Sequence, residues 1–142
     1  YNQKAQTQLM QNDLTFTFHS LNQTVSIFAD SHRLRQLLDN LLQNSIRYTY
    51  KPGTVELSLN IKNDNIIIQW KDSSPGVKAL ELGKLFDRLY RTENTSSRAV
   101  TGSGLGLSIC KAIITSHQGK IWAEDSNTGG VSINIELPLN QF

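Results

Sequence analysis

Three glycines at alternate positions, Gly102, Gly104 and Gly106, lie in the run Thr101-Gly102-Ser103-Gly104-Leu105-Gly106-Leu107-Ser108-Ile109, which leads straight into apolar sequence of helical character. Glycine lets a backbone approach a ligand closely, and the start of a helix offers unpaired N–H groups and the positive end of a dipole. That combination suits a phosphate, with Ser103 adding a hydroxyl, although the same run also serves as a plain flexible turn. A second set of polar residues falls on one predicted helix: Asn40, Asn44 and Arg47, spaced i, i+4 and i+7, form a stripe. Asparagine is a poor interior helix residue, so the stripe is either a solvated face or a set of ligands. As ligands, the amide oxygens suit a hard cation such as Mg²⁺ bridging phosphate oxygens. Arg47 would then meet phosphate and Tyr48 could offer its ring to a base.

A third candidate is Asp72, which opens the turn Asp72-Ser73-Ser74-Pro75-Gly76 at the end of an apolar run. An Asp before Ser-Pro-Gly is a common structural turn. A carboxylate at the end of a buried strand can also accept a hydrogen bond from an exocyclic amine, which would select adenine. The fourth lies between: Leu85-Phe86-Asp87-Arg88-Leu89-Tyr90-Arg91 closes a short predicted helix over 80–89. The polar run 92–101 that follows reads as a mobile, lid-like loop ending in the glycines.

The elements that must position these groups are legible in outline. Residues 1–12 read as the end of a helix. Asp13 to His19 alternates as a strand, and Thr24 to Ala29 reads as a second short strand. Asp30 and Ser31 are both good N-caps for a helix over 32–48, whose Leu34, Leu37, Leu38, Leu41, Leu42 and Ile46 recur at helical spacing. Strands at 55–61 and 66–70, joined at Asn63-Asp64-Asn65, make a hairpin. A helix over 105–116 has Gly119 as its expected C-cap and His117 placed to compensate its dipole. Strands over 120–124 and 131–137 complete the chain. His19 reads as a solvated strand-end histidine.

The 142 residues, 38% of them hydrophobic, suffice for one domain, taken as 1–142, with a real core. A net charge of +2, from 14 basic and 12 acidic residues, gives no field that argues for nucleic acid or a membrane surface. The single cysteine, Cys110, excludes a disulfide framework and reads as inert packing in a reducing compartment. No run is long enough to span a membrane. The polar, helix-like opening at Tyr1 is what an excised piece of a soluble domain would show.

Taken in order, these stretches resemble the ATP-binding catalytic domain of bacterial sensor histidine kinases, within the wider family of gyrase, heat-shock ninety and mismatch-repair ATPases. Residues 37–49 look like the N box, 72–76 the G1 box, 85–91 the F box and 102–107 the G2 box. The Asp72 turn, the lid start Leu89-Tyr90-Arg91-Thr92-Glu93 and the ending Gly129-Gly130-Val131-Ser132-Ile133 are most similar to envelope-stress sensor kinases.

The resemblance implies a two-layer α/β sandwich, a mixed sheet packed on about three helices with nucleotide between. It implies ATP and Mg²⁺ as cofactors, with Asn44 the principal metal ligand and Asn40 beside it. Arg47 and Arg91 would meet phosphates, Tyr48 would pack on adenine, and Asp72 would read its amine with Gly76 allowing close approach. Phe86 would anchor the lid, and Gly102, Ser103, Gly104, Leu105 and Gly106 would wrap the phosphates. It further implies a homodimeric kinase anchored in the inner membrane, with this domain in the cytoplasm. Its partners would be the dimerisation and phosphoacceptor helices and a response regulator.

Three departures stand out: Ser74 where Gly is commoner, Arg47 where Lys is, and no acceptor histidine, since His19, His32 and His117 all lack an H-box context. This chain is therefore expected to donate the γ-phosphate and not to autophosphorylate alone. A gyrase-type ATPase fits less well, because Asn40 stands where such enzymes carry an acidic general base. An anti-sigma-type serine kinase is disfavoured by the arginines of 85–91, and a non-catalytic nucleotide-binding module by the presence of Asn44, Asp72 and the glycines.

Overall fold

In the computed structural model, residues 1–73, 75, 85–86, 106–126 and 129–139 are described. Helix α1 (Asn2–Met10) is followed by strand β1 (Leu14–His19), helix α2 (Ser31–Tyr48), strands β2 (Gly53–Lys62) and β3 (Asn65–Ser73), helix α3 (Gly106–Ser116), and strands β4 (Lys120–Asp125) and β5 (Gly129–Pro138). The strands form one sheet in the order β1-β2-β3-β5-β4. It is mixed: β1 and β2 are parallel, and the other neighbours are antiparallel. A parallel pair needs a crossover, and α2 supplies it.

Strand alternation sorts the sheet into two faces. Val55, Leu57, Trp70, Ile133, Ile135 and Leu137 are buried in one cluster with Leu37, Leu41 and Leu42 of α2 and Cys110, Ile113 and Ile114 of α3. Residues of opposite parity, such as Glu56, Lys71 and Glu136, stand on the other face. Helix layer on sheet layer is the two-layer α/β sandwich that the four boxes imply. The hairpin joining β2 to β3 turns on Asn63 and Asp64, with φ of 52° and 64°, the left-handed pair a tight two-residue turn requires.

Helix α2 starts where its cap dictates. Asp30 Oδ1 accepts the His32 and Arg33 N–H groups at 3.0 and 3.3 Å, satisfying two of the orphan donors. Further along, Ser45 and Trp70, each 1% exposed, are joined by a bond of 2.8 Å donated by Trp70 Nε1 to Ser45 Oγ. That bond locks α2 to the centre of the sheet. Helix α1 joins the same layer by burying Ala5 and Leu9 completely.

Three expectations are corrected. Thr24 to Ala29 is not a strand. Its alternation is real, since Val25 and Ile27 pack on the core while Phe28 is 92% exposed, but the segment runs between the sheet and the start of α2 with no ladder to join. The expectation for His117 as a dipole-compensating residue is too narrow: its Nδ1 lies 2.8 Å from the Ile113 carbonyl in the last turn of α3, and its Nε2 accepts the Asp30 N–H at 3.0 Å, which ties that helix end to the start of α2.

Gly119 is not the left-handed cap of α3, because Gln118 takes the positive φ of 63°. Gly119 is small for another reason: a Cβ there would collide with the Glu136 carbonyl of β5 and lie 2.8 Å from Leu137 Cδ2. Cys110 is buried as expected, and burial pushes its thiol up to about 12. His19 is exposed as expected, 3.6 Å from Glu56 Oε1. The predicted helix over 80–89 and the loop over 92–101 lie outside the described residues.

Removing one partner of a buried hydrogen bond leaves the other unsatisfied at a cost of about 1–3 kcal/mol. Trp70→Phe is expected to destabilise the chain by at least that amount in urea denaturation. Adding Ser45→Ala to it should recover part of the loss, giving a non-additive double-mutant cycle.

Candidate functional site

The site residues of α2 lie on its C-terminal half. Asn40, Asn44, Arg47 and Tyr48 are all half-buried, whereas a solvated stripe would be open to water. Asn40 points toward α3: its Nδ2 donates to the Gly106 carbonyl at 3.5 Å, a long bond that nonetheless brings the asparagine stripe to the start of the glycine-led helix. One turn further into α3, Cys110 Sγ lies 3.7 Å from the Leu37 carbonyl, so the two helices run side by side. A Cβ built on Gly106 would meet nothing within 4 Å among the described residues, so that first turn borders open space.

The end of α2 opens into a cleft of about 470 Å³ lined by Arg47, Thr49, Tyr50 and Lys51. Thr49, the C-cap residue, is only 3% exposed, and its Oγ1 has no hydrogen-bond partner among the described residues. Nothing in the sequence singled Thr49 out.

Asp72 sits at the end of β3, opposite Val55 in the register. Its Oδ1 accepts the Val131 N–H of β5 at 2.9 Å. Desolvation pushes its carboxyl up to about 7, a rise opposed by the Val131 and Asp72 backbone N–H groups. Next to Val131, Gly130 passes so close that a Cβ would collide with the Ser73 carbonyl, the Asp72 carbonyl and Asp72 Oδ1. The register shifts between Lys71 and Ser73, where Ser73 Oγ accepts the Thr54 N–H at 2.9 Å. Asp72 is thus a half-buried acid held by the neighbouring strand. In the sequence Gly130 read as the end of the last loop, Val131 as the start of the last strand, and both as part of the ending Gly129-Gly130-Val131-Ser132-Ile133.

Phe86 is buried, 7% exposed, within the main core cluster. Gly76, Arg91, Gly102, Ser103, Gly104 and Leu105 lie outside the described residues. Among the described residues no group of three or more His, Cys, Asp or Glu side chains could hold a metal ion. The oxygen donors at hand are the neutral amides of Asn40 and Asn44, which suit a hard cation that keeps most of its shell from water and phosphate.

A helix with an amide stripe, a second helix starting beside it, and a half-buried acid on the sheet beneath define a nucleotide-binding α/β sandwich. Residues 29–141 match the histidine kinase-, DNA gyrase B- and HSP90-like ATPase family, and the chain belongs to it. Among its relatives, the signal transduction histidine-protein kinase BaeS of Escherichia coli (strain K12) is 47% identical over 122 residues, covering 86% of this chain and 26% of BaeS. The sensor histidine kinase WalK of Bacillus subtilis (strain 168) is 32% identical over 114 residues, covering 79% of this chain and 19% of WalK. The chain therefore spans about a quarter or less of the length of these relatives.

Solved structures agree on the fold. The catalytic domain of the histidine kinase ThkA superposes with a TM-score of 0.78 at 29% identity, over 93% of this chain and 84% of that one. The mycobacterial sensor histidine kinase MprB gives 0.83 at 25% identity, over 99% and 91%. ThkA in complex with the response regulator TrrA gives 0.77 at 28% identity, over 94% of this chain and 36% of that one.

Asp72 generates a stability prediction with a definite sign. Its folded-state value of about 7 exceeds the ordinary value of 3.8, so the folded chain binds this proton more tightly. The stabilisation from that proton is complete below the unfolded value and is lost as pH rises through the folded one. In urea denaturation, Asp72→Asn should gain stability relative to the parent by up to about 1.4 kcal/mol per pH unit within that window. A difference independent of pH across the window would refute the assignment.

Proposed function

We propose that this chain is the catalytic domain of a two-component sensor histidine kinase, which binds Mg-ATP and donates the γ-phosphate to a histidine on a dimerisation domain outside the chain. The observation that carries it is the convergence of Asn40 on Gly106, which sets the amide stripe of α2 against the start of α3, with Asp72 half-buried at the end of β3. Kinship to BaeS, WalK and ThkA supports the same reading. In it, Asp72 accepts the adenine amine, Tyr48 packs on the base, and Arg47 meets phosphate. Gly76, Phe86, Arg91, Gly102, Ser103, Gly104, Leu105 and Gly106 complete the site as the four boxes imply.

Asn44, with Asn40 beside it, would hold Mg²⁺, which when bound neutralises charge on the phosphates. What the chain itself contributes is position: two helix faces that orient the triphosphate and a half-buried acid that fixes the base. Phosphoryl transfer asks little covalent chemistry of the protein, so positioning and charge neutralisation are the main requirements. The acceptor histidine belongs to the dimerisation helices of a homodimeric kinase, and the phosphate passes on to a response regulator, as the ThkA–TrrA complex suggests. No described helix is long and apolar enough to cross a membrane. In the proposed kinase this domain lies in the cytoplasm and a separate segment anchors the protein in the inner membrane.

The test is labelling from γ-labelled ATP, comparing this chain with a longer polypeptide that includes the upstream helices. Only the longer one should gain an acid-labile, alkali-stable phosphate. Asn44→Ala in that background should abolish most of the Mg-dependent label while retaining adenosine binding. ATP binding with no label on either polypeptide would point to a hydrolase or a nucleotide-sensing scaffold.

A further inference from the structure

We infer that His117 is a positioning residue for the nucleotide site: by holding the Asp30 N–H it fixes α3 against α2 at the end far from the site, and so keeps the amide stripe and the start of α3 in register. The inference rests on the proposed reading of those two helices as the phosphate end, and goes beyond it by naming the residue that sets their alignment.

The bond exists because α2 does not close its own N-terminus. Asp30 caps the helix with its carboxylate, which accepts the His32 and Arg33 N–H groups. In a capping box, a Glu or Gln at the position of Arg33 would complete the pair by accepting the N–H of the cap residue. Arg33 has donors only, and its guanidinium goes to Gln36 Oε1 at 3.1 Å. The acceptor comes from the other helix instead: His117 Nε2 takes the Asp30 N–H at 3.0 Å, across 87 residues of sequence.

The imidazole is oriented for this by its own helix. Its Nδ1 lies 2.8 Å from the Ile113 carbonyl. That carbonyl also receives the Ser116 hydroxyl at 2.7 Å and the His117 N–H at 3.2 Å, so it does not depend on the ring for a partner. Two further contacts run along the same pair of helices, from Cys110 Sγ to the Leu37 carbonyl at 3.7 Å and from Asn40 Nδ2 to the Gly106 carbonyl at 3.5 Å. Residue numbers fall along one helix as they rise along the other, so the pair is antiparallel. His117 is thus roughly 16 Å along α3 from Gly106. The contact at the site end is at the limit of hydrogen-bond length, whereas the one at the far end is of ordinary length. Register is therefore set from the far end.

The two ring nitrogens can be told apart by substitution. His117→Asn places an amide near the position of Nδ1, which serves only the already satisfied Ile113 carbonyl. His117→Gln carries its amide one methylene further, near the position of Nε2, where its oxygen can accept the Asp30 N–H.

The experiment is isothermal titration of the 142-residue chain and its variants with Mg-ATP and with adenosine, alongside ¹⁵N spectra of the nucleotide-free chains. His117→Asn should displace the Gly106 amide and the Asn40 side-chain amide. It should also weaken Mg-ATP roughly three- to fivefold, the worth of one partly exposed hydrogen bond, and change adenosine less than about twofold. His117→Gln should stay close to the parent in every readout. Arg33→Glu gives α2 a capping box of its own; added to His117→Asn, it should restore the urea midpoint without restoring Mg-ATP affinity.

Unmoved Gly106 and Asn40 resonances in a folded His117→Asn chain overturn the positioning role and leave the phosphate reading intact. Moved resonances with unchanged Mg-ATP affinity overturn it together with the reading of this helix pair as the phosphate end. Equal losses in His117→Gln and His117→Asn overturn the assignment to the Asp30 bond. Recovery of Mg-ATP affinity on adding Arg33→Glu reduces His117 to a cap for α2 and overturns the proposal. Should His117→Asn alone not fold, the double variant is compared with the parent in the same readouts.

Discussion

The bond from Trp70 Nε1 to Ser45 Oγ is the constraint on which the site depends. An apolar helix face can roll on an apolar sheet with little energetic penalty, because leucine contacts are not directional. A buried hydrogen bond is directional, and losing it strands two polar atoms in the core. On α2, Asn44 is the residue before Ser45, so fixing Ser45 fixes the direction of the amide stripe. On β3, Trp70 and Asp72 are two apart and share a face, so the same bond ties the amide stripe to Asp72. Asn40, Asn44 and Asp72 are held in one frame by a contact that touches no ligand.

The two ends of the site are built differently, and the difference follows from what each must recognise. In the proposed reading, the phosphate end is made of helix termini and neutral amides, groups that can share an anion with water and a hard cation. The proposed base end is a half-buried acid whose Oδ1 accepts the Val131 N–H, in an environment that holds its carboxyl up to about 7. Burial there has a thermodynamic cost to the ligand-free chain above that pH, and a base that satisfies the acid offsets it. Thr49, whose Oγ1 finds no partner among the described residues, is a second buried polar group next to the cleft.

Much of this was legible in the sequence where the physics is local. The cap at Asp30, the leucine spacing of α2, the Asn63-Asp64 turn and the alternation of β2 and β5 are all read from neighbours within a few residues. The asparagine stripe on α2 stood out in the sequence because asparagine is unfavourable inside a helix, whereas Asp72 alone was equally readable as an ordinary turn residue. What could not be read depends on contacts distant in the chain. Thr24 to Ala29 has strand alternation but no partner strand, and partnership is a property of the sheet. His117 bonds to Asp30, 87 residues away, which no helix-end rule anticipates. The support of Asp72 by Gly130 and Val131 arises from the register between β3 and β5. Gly119 shows the same limit, its size set by the Glu136 carbonyl of a strand yet to come.

The most direct test of the two-ended site is amide chemical-shift mapping of the ¹⁵N-labelled chain, first with adenosine and then with Mg-ATP. Adenosine carries the base without phosphate, so it should move the amides of Asp72 and Val131 while those of Asn40 to Arg47 stay in place. Mg-ATP should move both sets. Adenosine that shifts Asn40 to Arg47 and leaves Val131 untouched would contradict the account.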